Sequence, residues 1–227
     1  MHKRRAILVL VLLGICTITT IAEAKSGTAN VTWYFKDTNV SGFSHPSGHI
    51  FDKFMNSTEV PTGTADYTVT LGPGERAWWY ANEAAECDLT IPCGEWTFHF
   101  WAETNSNDSE RIYPRVVKVY ENGSIDYITS KRRYQGIKSA EGIKEINYNV
   151  SGSQTSFKQG DRIAVEILFS ADEGEWLKIF YNSTTYKSKL ISPQDHYPIP
   201  EFPTLALPLA IVLGIVFFLF RRKREKK

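Results

Sequence analysis

The chain has little of what would mark a redox enzyme, a metal protein or a nucleic-acid binder. Only three cysteines occur in 227 residues, and Cys16 falls inside an apolar N-terminal stretch, which leaves Cys87 and Cys93. A zinc site would need two more soft ligands beside that pair, and only His99 is near in sequence. Positive charge is not in excess: 26 basic residues face 25 acidic ones, so a phosphate backbone would find no net attraction. There is no G-x-S-x-G nucleophile turn, no phosphate-cradling P-loop and no glycine-rich dinucleotide turn. His45 and His49 are four apart, but no glutamate follows the first and the stretch holds Gly and Pro, which excludes the helical zinc-protease arrangement. His99 and His196 stand alone, and no catalytic residue is assigned. Helical periodicity of useful length is also missing between residues 25 and 199.

What is there begins at the two ends. Lys3, Arg4 and Arg5 precede an apolar core over residues 6–15, and Ala22-Glu23-Ala24 places small residues where a signal peptidase reads. The expectation is a cleaved signal peptide over 1–24 with a mature chain starting at Lys25; an uncleaved N-terminal anchor is the alternative. Lipidation at Cys16 is set aside, because Ile15 stands where a small residue is needed. At the other end an uncharged apolar run over 205–220 is followed by Arg221-Arg222-Lys223-Arg224, the order that keeps a tail on the cytoplasmic side. Sixteen helical residues reach about 24 Å, short of the ~30 Å hydrocarbon core, and Pro203 and Pro208 interrupt the approach.

The order Pro200-Glu201-Phe202-Pro203, apolar helix, basic tail resembles the PEF-CTERM sorting signal of archaeal surface proteins. The resemblance implies recognition by an archaeosortase, a membrane transpeptidase that removes such a tail and attaches the protein to lipid. A plain stop-transfer helix that stays in place is the alternative. In both readings the chain is the substrate of processing enzymes, held at the extracellular face of the cell membrane.

Nine of the 26 basic residues sit in these two ends, so the segment between them is net acidic and suits neither nucleic acid nor an anionic lipid surface. That segment reads as one all-β domain over 25–193, a β-sandwich or jelly roll of about ten strands. Apolar and polar residues alternate over 30–35 and 95–102, and β-branched or aromatic runs recur at 66–71, 76–81, 116–120, 125–129, 143–150, 162–170, 177–181 and 185–191. Asn122-Gly123 between two of these is a hairpin signal. Residues 42–61 and 151–160 read as connections, and 194–200, with Pro198 and Pro200, as a short stiff stalk. The segment Phe157 to Val165, followed by Tyr181-Asn182-Ser183 and Tyr186 to Pro193, is similar to the ends of uncharacterised surface β-domains of archaea and some bacteria, which implies the sandwich fold and no activity.

Four groups of residues could do chemistry. Cys87 and Cys93, an even pair in an exported domain, are expected to form a disulfide around Pro92, adding about 2 kcal/mol in a chain-entropy model. Seven of the ten asparagines (Asn30, Asn39, Asn56, Asn107, Asn122, Asn149 and Asn182) start N-x-S/T sequons, which reads as N-glycosylation, although Asn and Ser/Thr also gather in turns. Trp78, Trp79, Tyr80 and Trp101 are candidates for stacking on a sugar ring. Neighbours in a strand point to opposite faces, so Trp78 and Trp79 cannot both fill one core; an outward ring under a loop is the structural alternative. Asp172, Glu173 and Glu175 around Gly174, and Asp108 with Glu110, offer part of a calcium ligand set, without EF-hand spacing. No cofactor is otherwise implied. The functional expectation is a non-catalytic binding or structural protein of the cell envelope, with an envelope glycan or a surface-layer protein as partner. The alternatives are an extracellular polysaccharide-acting enzyme or a calcium-dependent adhesin.

Overall fold

The computed structural model describes residues 30–46, 49–106, 111–134 and 137–193. The signal peptide, the stalk, the sorting tail, Asn107, Asp108, Glu110 and His196 lie outside the described residues. Within them the chain is all-β, as its alternation implies, with one 3-10 turn (Ser139–Glu141). The strands are β1 (Thr32–Asn39), β2 (Phe51–Asn56), β3 (Tyr67–Leu71), β4 (Arg76–Ala81), β5 (Leu89–Ile91), β6 (Gly94–Thr104), β7 (Ile112–Val119), β8 (Ile125–Tyr127), β9 (Lys144–Gly152), β10 (Thr155–Phe157), β11 (Arg162–Phe169), β12 (Leu177–Tyr181) and β13 (Lys189–Ile191).

Eleven strands make one curled sheet in the order β3-β12-β6-β13-β1-β2-β4-β11-β7-β8, with β9 along the other side of β6; β10 and β5 form a separate ribbon. The eleven-residue β6 is the pivot. Its residues Thr97–His99 pair with β13 and its residues Trp101–Thr104 with β12, so two strands leave the same side of β6 at successive heights. Around that division the sheet folds over itself as a sandwich: Trp79 of β4 meets Tyr181 of β12 at 5.5 Å, although these strands are not paired. A bridge between Thr129 and Gly152 brings the β8 end back to the end of β9.

The alternation seen in the sequence is realised on β6, where Trp96, Phe98, Phe100 and Ala102 are buried while Glu95, Thr97, His99, Trp101 and Glu103 face out. The inner face is aromatic: Phe35 stacks on Trp79 at 4.5 Å and Trp33 on Trp96 at 6.3 Å. Rings at these separations add to the large apolar area each one buries.

β2 and β10 fall inside stretches expected to be connections, 42–61 and 151–160, and β5 lies between two of the expected runs. Phe51–Asn56 contains no β-branched residue, but it lies between β1 and a parallel partner, β4, and its ladders hold it extended. The short β5 and β10 stabilise one another. β7 begins earlier than its β-branched run suggests and includes Pro114; β8 flanks only Val117–Val119, so the missing N–H removes no β7–β8 bond.

A second, smaller apolar layer lies on the outside of the sheet. Phe54, Trp78, Tyr80, Val117, Val119 and Ala164 are buried there against Val40, Phe43 and Ile125. The connection between β1 and β2 lies over this patch. Phe43 meets the Tyr80 ring edge-on at 5.5 Å, and His49 stacks on Trp78 at 4.7 Å with planes 10° apart.

Candidate functional site

The strand alternation does separate Trp78 from Trp79, but neither ring is available. Trp79 fills the main core and Trp78 the outer layer, and Trp78, Trp79 and Tyr80 are all fully buried. The expected stacking platform at these three positions is therefore corrected: the β1–β2 connection covers the outward rings. Polar contacts pin that cover. The Tyr80 hydroxyl donates to Asp52 Oδ1 at 3.0 Å, and His49 Nδ1 lies 3.1 Å from the same oxygen. Burial, then the Asp52 charge, raises the Tyr80 phenol above its ordinary pKa and keeps it protonated. Beside it, Glu166 is fully buried and faces Arg115 in direct charge contact and Arg76 at 3.2 Å. The Arg115 guanidinium lies 3.9 Å from the Tyr127 ring centre.

Trp101 behaves differently. It sits on the outward side of β6, partly exposed, opposite Phe180 of β12 and Glu145 of β9. His99, two residues back on the same face, lies 4.7 Å from the Trp101 ring, and Tyr186 meets that ring edge-on at 6.0 Å. Tyr186 in turn rests on Phe180 at 5.0 Å. The row continues along β12 to Lys178, whose ammonium lies 5.2 Å from the Trp176 ring. Polar and charged groups border these rings on two sides. His99 Nε2 stands 2.5 Å from Glu145 Oε1, and Lys178 Nζ donates to Glu103 Oε1 at 2.7 Å. The result is an open aromatic strip with fixed donors and acceptors at its margins. An apolar ring face offers stacking area, and the flanking polar groups offer hydroxyl partners.

Of the sugar-stacking candidates, then, the structure leaves only Trp101 on an accessible face. Tyr186, Glu145, Trp176 and Lys178 were not legible as its companions, because they come from three other segments that only the ladders bring alongside β6. His99 was visible, through the alternation of β6, as a face-mate of Trp101.

No disulfide joins Cys87 and Cys93, which are both exposed free thiols; the chain between them runs extended as β5, held to β10, instead of turning back. Asn30, Asn39, Asn122 and Asn149 are exposed, and Asn56 and Asn182 partly so. At Asn56 the side-chain oxygen accepts from the Thr58 amide and hydroxyl, both at 2.7 Å, and Asn122 does the same with Ser124, so both sequons close as Asx turns. Asn149 and Ser151 point outward together on β9, and Asn149 Nδ2 donates to Glu95 at 2.8 Å. In the acidic turn, Glu175 Oε2 accepts from the Asp172 amide at 2.9 Å. Among the described residues no three His, Cys, Asp or Glu side chains converge on one point.

Residues 199–224 match the family model described as the PEF-CTERM archaeal protein sorting domain, which bears out the reading of the tail. A sorting signal of this kind implies a surface protein associated with the membrane and processed by an archaeosortase. Among the described residues no helix is long and apolar enough to cross a membrane; the run over 205–220 lies outside them. No curated protein matches the chain. Solved structures with similarity include a CocE/NonD family hydrolase from Staphylococcus aureus (12% identity, TM-score 0.47, 77% of this chain and 38% of that one). An aminopeptidase from a marine sediment Thaumarchaeota archaeon is similar at 9% identity and TM-score 0.47, over 72% of this chain and 36% of that one. A CBM4 structure is similar at 13% identity and TM-score 0.27, over 58% and 79%. The chain thus spans little more than a third of the two enzymes it resembles.

Proposed function

We propose that this chain is a glycosylated envelope protein, tethered at the outer face of the membrane through its C-terminal signal, that binds envelope glycan on the strip around Trp101. The observation that carries the reading is the contrast in exposure. Of the four stacking candidates in the sequence, only Trp101 keeps a solvent face, and it is bordered by Tyr186, by the His99–Glu145 contact and by the Lys178–Glu103 ion pair. Binding is favoured over hydrolysis because both carboxylates beside Trp101 are engaged, Glu145 with His99 and Glu103 with Lys178. A glycosidase needs one carboxyl group free to give up a proton and a second to act as base or nucleophile. The six described sequon asparagines are the proposed glycan acceptors on this domain.

The test is a glycan array probed with full-length protein in detergent micelles, beside the Trp101→Ala variant. Retention of polysaccharide or surface-layer glycan by the parent chain and its loss in the variant is the expected outcome. Equal binding by both proteins would remove Trp101 from the site, and release of reducing ends from the bound glycan would replace binding with hydrolysis.

A further inference from the structure

A buried lysine and aspartate stand in contact between β7 and the start of β11. Lys118 lies on β7, opposite Ile163 of β11 on one side and opposite Asp126 of β8 on the other. Asp161 is two residues before Ile163 and so falls on the same face, diagonal to Lys118, a spacing that a long side chain bridges. Lys118 Nζ lies 2.9 Å from Asp161 Oδ2, with the lysine side chain 6% exposed and the aspartate 4%. The amine is held from several directions: it donates to the Ser156 carbonyl at 2.7 Å and lies 4.0 Å from the Tyr120 ring centre and 5.4 Å from that of Phe157. The Asp161 carboxylate is fixed as well, because Oδ2 accepts the Lys158 amide at 2.7 Å. Asp126, whose carboxylate accepts the Tyr120 hydroxyl, lines with Lys118 an open cleft of about 350 Å³.

As a salt bridge alone this pair would give little, since burying two charges offsets much of their attraction. As a pair of reactants it is well placed. Oriented groups in contact react with effective molarities on the order of 10⁵–10⁸ M. We propose that Lys118 and Asp161 condense into an intramolecular isopeptide bond, a covalent staple between β7 and the start of β11. One proton passes along the 2.9 Å contact from the ammonium to the carboxylate, leaving an amine and a carboxylic acid. The Nζ lone pair attacks Asp161 Cγ, and the C–N bond forms. The bond from Cγ to the protonated oxygen breaks, and that hydroxyl takes one proton from the nitrogen and departs as water through the cleft. Asp126 is the carboxylate on this face that carries the proton from nitrogen to the leaving oxygen. No oxidant, metal or nucleotide enters the balance.

The experiment is a tryptic digest of full-length, deglycosylated protein read by mass spectrometry. The expected result is a branched peptide joining the Lys118 segment to the Asp161 segment, lighter than the two together by one water, with no cleavage after Lys118. Normal cleavage after Lys118, with the two segments recovered separately at full mass, overturns the proposal. Lys118→Arg keeps the charge but supplies no amine nucleophile; its digest should contain no branched peptide, and a branched peptide at Asp161 in that variant would also overturn it. Asp126→Ala should leave a fraction of the chains uncondensed. Full condensation in that variant would strike Asp126 from the mechanism.

Discussion

Trp78 and Trp101 are both tryptophans on outward positions of strands inside the same sheet, and their fates differ completely. Trp78 is fully buried beneath the β1–β2 connection, stacked between His49 and Tyr80 at 4.7 and 5.7 Å. Trp101 keeps a solvent face, with His99 and Tyr186 beside it. The outer side of the sheet therefore carries two aromatic patches, one sealed and one open. An exposed aromatic position in a strand becomes core or site according to whether the next connection lies over it.

That contrast is broken most severely from the sealed side. Trp78→Ala should destabilise the fold by about 3–5 kcal/mol, since a large ring is removed from a closed layer; thermal or denaturant unfolding measures it. Glu166→Ala is expected to fall in the same range of about 3–5 kcal/mol, because it leaves Arg115, itself buried, without its counter-charge. An unchanged unfolding midpoint in the Trp78 variant would show that the β1–β2 connection does not seal this face in solution. Gly152→Ala comes next, at about 1–3 kcal/mol. A methyl group there would stand 2.5 Å from Trp96 Nε1, where the main core meets the end of β9.

Alkaline pH probes both layers at once. Burial and hydrogen bonding raise the phenols of Tyr80, on the sealed face, and Tyr181, in the main core. In the unfolded chain these groups lose their protons near pH 10, while the folded protein retains them. Their stabilisation is therefore complete below about pH 10 and is lost as pH rises beyond it. Replacing both by Phe should flatten that alkaline decline in a series of unfolding curves. The smallest effect on stability is expected at Trp101, where Ala should shift unfolding by about 1 kcal/mol or less while abolishing glycan retention. A large loss of stability in this variant would instead make the open strip part of the core.

Much of the fold was legible in local pattern. Alternation in β6 separated its buried rings from Thr97, His99 and Trp101, and the runs at β4 and β12 fall where their residues suggested. β2 was not legible, since Phe-Asp-Lys-Phe-Met-Asn has no β-branched residue and becomes a strand only through its neighbours. The disulfide expectation failed for a related reason: spacing places Cys87 and Cys93 close in sequence, while a strand paired to β10 occupies the interval.

The sequence by itself determined the all-β class, the faces on which side chains fall along each strand, and the sorting signal at the C-terminus. These depend on local matters: a two-residue period in the strands, and a short motif with an apolar run and basic residues in the tail. Tertiary structure decided which outward tryptophan stays open, which rings join Trp101, and that Lys118 meets Asp161. Such choices rest on strand order and on where a connection lies, which bring together residues distant in sequence and which no local pattern records.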